Sequence, residues 1–258
     1  MLSMLLRSKK VRRFFKDYFV RRELRFRDLD RSSQVPGEPP AVDWCPVGES
    51  VDFRDFYSFH DRNCQDVRGI QSAAWLASHF HGYYRQHLEN DVTLDYSVEP
   101  QENGGIRIRS AEHPDTWVFL ASRRRLPSVY AIEFDYLPRT VFKEQLQIDF
   151  DATSLADRHR FILTYNEYVR YQRIRCGFWL PDAGRHPFSL PIGETTRIRL
   201  EVVRGVFTLL ADGQIIACWR NLDYRPRSAR NYLLFWNGDD RREMDFTLSN
   251  LKIEYEKK

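Results

Sequence analysis

A chain of 258 residues with 42% hydrophobic and 29% charged residues has the make-up of an ordinary globular protein. No run approaches the roughly 18 apolar residues of a membrane-spanning helix. The four cysteines (Cys45, Cys64, Cys176, Cys218) lack C-x-x-C spacing, which argues against a zinc knuckle or a redox pair. The formal charge of +4 is uneven: residues 1–31 hold eleven Lys/Arg against four Asp/Glu, giving +7 and leaving −3 for the rest.

Met1–Leu6 is apolar but short, and charge follows it instead of preceding it, so it does not read as a secretory signal. The expectation is a cytoplasmic protein with its cysteines as thiols, two disulfides among the four being the alternative. From Ser8 to about Arg22, Val11, Phe14, Phe15, Tyr18 and Phe19 recur at three- and four-residue steps, the pattern of a basic amphipathic helix. Such a helix docks on an acidic partner or an anionic membrane surface, or packs on its own chain. Residues 31–43, with three prolines and a glycine, read as a linker. The expected division is therefore an arm and linker over 1–43 and a single domain over 44–258.

Residues 55–90 are ambiguous between helix and strand. They hold His60, His79, His81 and His87, but no H-E-x-x-H or similar motif, so no metal and no cofactor are expected. From Asp91 onward short strands follow one another between turn signals. YAIEFDYL alternates Tyr130, Ile132, Phe134 and Tyr136 against Ala131, Glu133 and Asp135, and EQLQIDFD alternates Leu146, Ile148 and Phe150 against Gln145, Gln147 and Asp149. Alternation of this kind builds sheets buried on one face, as in a sandwich. Asp212-Gly213 between apolar runs is a two-residue hairpin signal.

The stretch from Ile192 to Glu256 resembles the C-terminal half of concanavalin A-like lectin and glucanase domains. It carries IRLEVV, the Asp212-Gly213 turn, and a closing strand from Phe246 to Ile253 that includes Asn250. Upstream, GGIRIRS and YAIEFDYLP resemble early strands of the same superfamily. The resemblance covers about residues 91–258. It implies an all-β fold, a jelly-roll sandwich of two antiparallel sheets, here with an N-terminal basic helical arm. It also implies glycan recognition on the concave sheet, with glycoside hydrolases, polysaccharide lyases and non-catalytic interaction modules as the alternatives.

Glu133 and Asp135 occupy two positions of the E-x-D-x-x-E motif of laminarinase-type glucanases. Pro138 stands where the second Glu belongs, so the pair is incomplete for retaining hydrolysis. A second group consists of Gln145, Gln147 and Asp149 with Tyr171, Arg173 and Arg175. Arginine forks onto carboxylates, and tyrosine can move a proton. Taking Ile174, Cys176 and Phe178 as the core side of the later strand puts Tyr171, Arg173, Arg175 and Trp179 on its outer face. Trp179 there can stack on a sugar ring, whereas Trp236, among Leu233, Leu234 and Phe235, reads as core. The expected ligand-binding residues are thus Gln145, Gln147, Tyr171, Arg173, Arg175 and Trp179, with a glycan as partner. Without a basic-aromatic domain, no nucleic acid is expected.

Overall fold

Strands account for almost all of the computed structural model, which describes residues 34–48, 53, 56–60, 63–66, 96–102, 104–110, 117–122, 126–141, 144–154, 157–165, 167–175, 178–179, 184–222, 224, 232–238 and 243–257. In chain order these are β1 (Gln34–Pro36), β2 (Trp44–Pro46), β3 (Phe56–His60), β4 (Asn63–Asp66), β5 (Tyr96–Pro100), β6 (Ile106–Ser110), β7 (Trp117–Ser122), β8 (Val129–Pro138) and β9 (Glu144–Ser154). They continue as β10 (Asp157–Thr164), β11 (Tyr168–Arg175), β12 (Phe178–Trp179), β13 (Gly184–Pro187), β14 (Thr196–Val203), β15 (Val206–Ala211), β16 (Gln214–Asn221), β17 (Tyr232–Gly238) and β18 (Met244–Glu256).

The strands form two antiparallel sheets. The first runs β1-β16-β15-β14-β8-β18-β6-β5, with β2 also paired to β18; the second runs β12-β11-β10-β9-β17-β7-β3-β4, with β13 also paired to β11. The two late strands are interleaved among early ones: β17 lies between β7 and β9, and β18 between β6 and β8. Consecutive strands β7, β8 and β9 alternate between the sheets, as do β16, β17 and β18. This weave of Greek-key crossings defines a jelly-roll sandwich, the architecture expected from the sequence.

The core lies between the sheets. Tyr130, Ile132, Phe134 and Tyr136 of β8 meet Leu146, Ile148 and Phe150 of β9 in one buried cluster, as their alternation predicts. Phe207 of the first sheet reaches Phe150 of the second with ring centroids 5.0 Å apart. Asp212 and Gly213 take φ of 47° and 78°, as does the Arg204-Gly205 pair at 47° and 85°. Two left-handed residues in succession give each hairpin a tight turn whose twist matches its strands. In β18 the register shifts between Ser249 and Lys252, with Asn250 at φ 54°. That bulge flips the face parity of the strand, so Phe246 and Leu248 before it and Ile253 after it all reach the core.

The stretch read as a linker is partly strand. Gln34, Val35 and Pro36 pair with Asn221, Arg220 and Trp219, and the amide of Gly37 donates to the Cys218 carbonyl at 3.1 Å. Proline is tolerated there because β1 is an edge strand. Gly37–Asp43 then leads from this edge to β2, where Trp44, Cys45 and Pro46 pair with Glu256, Tyr255 and Glu254. The Trp44 ring sits 5.5 Å from the guanidinium of Arg199 on β14, so this strap crosses the outer face of the first sheet. The amphipathic segment 8–22, and with it the expected helical arm, lies outside the described residues.

Candidate functional site

Register assigns the two faces of the second sheet. Across β9, β10 and β11 one set of rows is Leu146–Leu163–Val169, Ile148–Phe161–Tyr171 and Phe150–His159–Arg173. The apolar members of these rows belong to the core cluster, so this is the inner face. The alternate rows, Gln147–Ile162–Arg170 and Asp149–Arg160–Gln172, with Arg158 opposite Ile174, point the other way.

Two of the expected ligand-binding residues are therefore on the inner face. Tyr171 is fully buried, stacked on Trp219 at 5.8 Å and 12°, with Phe161 and Phe207 also against its ring. Arg173, opposite His159, is buried beside it. Choosing Ile174 as the core residue of β11 put the wrong face inward. Ile174 is buried too, because the strand is covered on both sides, and a shift of one residue reverses every side chain. Arg175 pairs with Phe178 and Trp179 with Ile174 in the backbone register. Trp236, read as core, is the register partner of Gln147.

Gln145 and Gln147 do lie on the face away from the core, but shielded rather than solvated. With them are Asp149, Arg158 and Arg160, all at most 1% exposed, and Gln172. Asp149 is held by two arginines of β10: its Oδ1 accepts from Arg160 Nε, its Oδ2 accepts from Arg160 Nη2 at 2.8 Å and lies 2.6 Å from Arg158 Nε. Gln145 donates from Nε2 to the Thr140 carbonyl at 3.3 Å. Sequence reasoning singled out neither Arg158 nor Arg160. The signal for them was present in D-R-H-R-F-I-L-T, where Phe161 and Leu163 at period two send Arg158, Arg160 and Ile162 to the opposite face.

Glu133 and Asp135 stand on the outer face of the first sheet within a web of cations. Asp135 accepts from Asn250 Nδ2 at 2.6 Å and Arg197 Nε at 3.3 Å. Glu133 accepts from Lys252 Nζ at 3.2 Å and lies 3.7 Å from Arg199 Nη1. Arg199 also donates to Glu201 at 2.8 Å and Glu254 at 2.5 Å. Each carboxylate is thus spoken for by a neighbouring strand, an arrangement that ties strands together.

Of the histidines read as a cluster, His60 closes β3 opposite Asn63, and His79, His81 and His87 lie outside the described residues. No group of three or more His, Cys, Asp or Glu suited to a metal occurs among the described residues. Cys45 is exposed and Cys218 buried, both as free thiols, and burial raises the Cys218 pKa.

Among solved structures the chain is similar to the carbohydrate-binding module CBM66 from Bacillus subtilis, at 9% identity over 63% of this chain and 94% of that one, with a TM-score of 0.46. It is also similar to the carbohydrate recognition domain of Emp46p in its metal-free form, at 16% identity over 62% and 86% of the two chains, TM-score 0.46. A third is the exoplasmic/lumenal domain of VIP36 bound to Ca2+ and Man3GlcNAc, at 9% identity over 69% and 87%, TM-score 0.45. No family model matches the sequence, and no curated protein matches it.

Proposed function

We propose that this chain recognises a glycan on the outward side of the second sheet, reached from Gln172, at 9% the most exposed member of the polar row there. One observation carries the reading: three adjacent strands bring Gln145, Gln147, Asp149, Arg158, Arg160 and Gln172 together on the face turned away from the core. Burying charged and amide groups is costly, and apolar side chains of similar volume are often neutral or stabilising in their place. Planar amide and guanidinium donors beside carboxylate and amide acceptors suit the hydroxyls of a saccharide, and shielding from water strengthens each such bond.

Binding is favoured over turnover by the same geometry. Among the described residues of this row Asp149 is the one carboxylate, and two arginines hold it, which leaves no pair for glycoside hydrolysis. Tyr171, the candidate proton carrier of a lyase, faces the core instead.

The test is a glycan array with the full chain, followed by calorimetry on Gln147→Leu and Gln172→Leu, which keep the side-chain volume. Losing a hydrogen bond to a bound sugar should weaken affinity by about tenfold, the equivalent of roughly 1.4 kcal/mol. An array with no glycan bound, or unchanged affinity in both folded variants, overturns the reading.

A further inference from the structure

Independently of the glycan reading, we propose that the N-terminal amphipathic segment of this chain docks in an apolar groove at one end of the first sheet. The groove has a volume of about 870 Å³. One wall is Cys45, Pro46 and Val47 at β2, the other is Leu126 to Val129 leading into β8, and Tyr255 of β18 lies between them. Leu126 and Val129 are buried members of these walls, whereas Cys45 at the rim is exposed.

Three observations select the occupant. The first is where the described chain begins. One row of paired residues runs Val35–Arg220–Val206–Val203–Val129 across β1, β16, β15, β14 and β8. Gln34, one residue earlier, is opposite Asn221, so the preceding chain leaves the sheet at the same end as the groove. Four strand spacings of about 4.8 Å separate Val35 from Val129, roughly 19 Å. The residues between Phe19 and Gln34 can span more than twice that distance at about 3.3 Å each.

The second observation is chemical fit. Val11, Phe14, Phe15, Tyr18 and Phe19 would form one stripe about 12 Å long if helical. A stripe with three phenylalanines needs an apolar surface to cover, and a groove walled by proline, valine and leucine offers one. The third is charge: the segment 1–31 is +7 and the rest of the chain −3, so the two attract overall, while at the groove itself Glu256 and Lys257 balance.

Cys45 provides the readout, because it lines the groove and is exposed. The experiment measures the rate at which Cys45 is alkylated by iodoacetamide, mapped by mass spectrometry, in the full wild-type chain and in the full chain carrying Phe15→Glu and Phe19→Glu. Cys218, buried elsewhere on the first sheet, serves as the folding control. Docking should make Cys45 of the wild type at least about tenfold slower than in the variant, since labelling then waits on undocking. Cys218 should stay protected in both. Equal Cys45 rates in two folded chains overturn the proposal. So does protection that grows with protein concentration, because the occupant is then a second copy. If the variant exposes Cys218, the same comparison is made with Phe19→Ser alone, under the same two criteria.

Discussion

The Nδ1 atom of His159 lies 2.6 Å from the Tyr171 hydroxyl in the space between the two sheets, with Asp151 Oδ2 3.9 Å from the other ring nitrogen. All three residues are at least 96% buried. The Asp151 amide in turn donates to the hydroxyl of Tyr130 on the facing sheet, at 3.2 Å. Burial, first, and the Asp151 charge hold the Tyr130 pKa well above its usual value, so this hydroxyl stays protonated. Tyr171→Phe keeps the ring on Trp219 and removes the bond to His159. We expect a loss of about 1–3 kcal/mol in urea denaturation, the cost of a buried polar partner left behind. A change within about 0.5 kcal/mol, typical of an exposed site, would contradict the inward placement of Tyr171.

Asp149 is the counter-charge shared by Arg158 and Arg160. Asp149→Leu removes it from between two buried guanidinium groups. Breaking a buried ion pair by deleting one partner costs about 3–5 kcal/mol. Thermal unfolding should show this as a fall in Tm of roughly 6–20 °C for a chain of this size. A Tm unchanged to within a degree would mean that the clamp contributes nothing to folding.

Asp245 is bound on the outer face of the first sheet by Arg107, which donates from Nε at 2.9 Å and Nη2 at 2.6 Å. Hydrogen bonding to Arg107 holds the Asp245 pKa below the usual carboxylate value. A depressed folded-state pKa means stabilisation that is complete above the unfolded value, near 3.9, and lost as pH falls through the folded one. The stability difference between wild type and Asp245→Asn should therefore be constant near neutrality and shrink below about pH 4. A difference that widens on acidification is the contrary result, checked by guanidinium melts across the acid range.

The Gly37 amide, bonded to the Cys218 carbonyl at 3.1 Å, marks where the Pro-rich strap leaves the edge of β16. Deleting residues 1–33 leaves β1 and the strap in place, whereas deleting residues 1–43 removes both. We expect Cys218 to remain unreactive in the shorter deletion and to label readily in the longer one, with a lower Tm. Equal Cys218 protection in both would show that the strap covers nothing.

Much of the architecture was legible because several strands have one apolar face and one polar face. YAIEFDYL and the Leu146/Ile148/Phe150 stripe declare their core sides without reference to any neighbour, and Asp212-Gly213 declares its turn from backbone stereochemistry alone. Residues 31–43 were harder, since three prolines look like a linker whether or not an edge of β16 is there to pair with them. The face of β11 was undecidable from its own residues: Val169 and Tyr171 on one side and Ile174 on the other are all buried. Only its pairing with β10, which sets Tyr171 against Phe161 and Arg173 against His159, determines which side meets the first sheet. Register is a relation between segments distant in sequence, and a strand covered on both faces carries no amphipathic signal of it. So the sequence by itself specified a two-sheet sandwich and its central core. The tertiary structure decided which polar residues share a face, because that depends on partners no single strand contains.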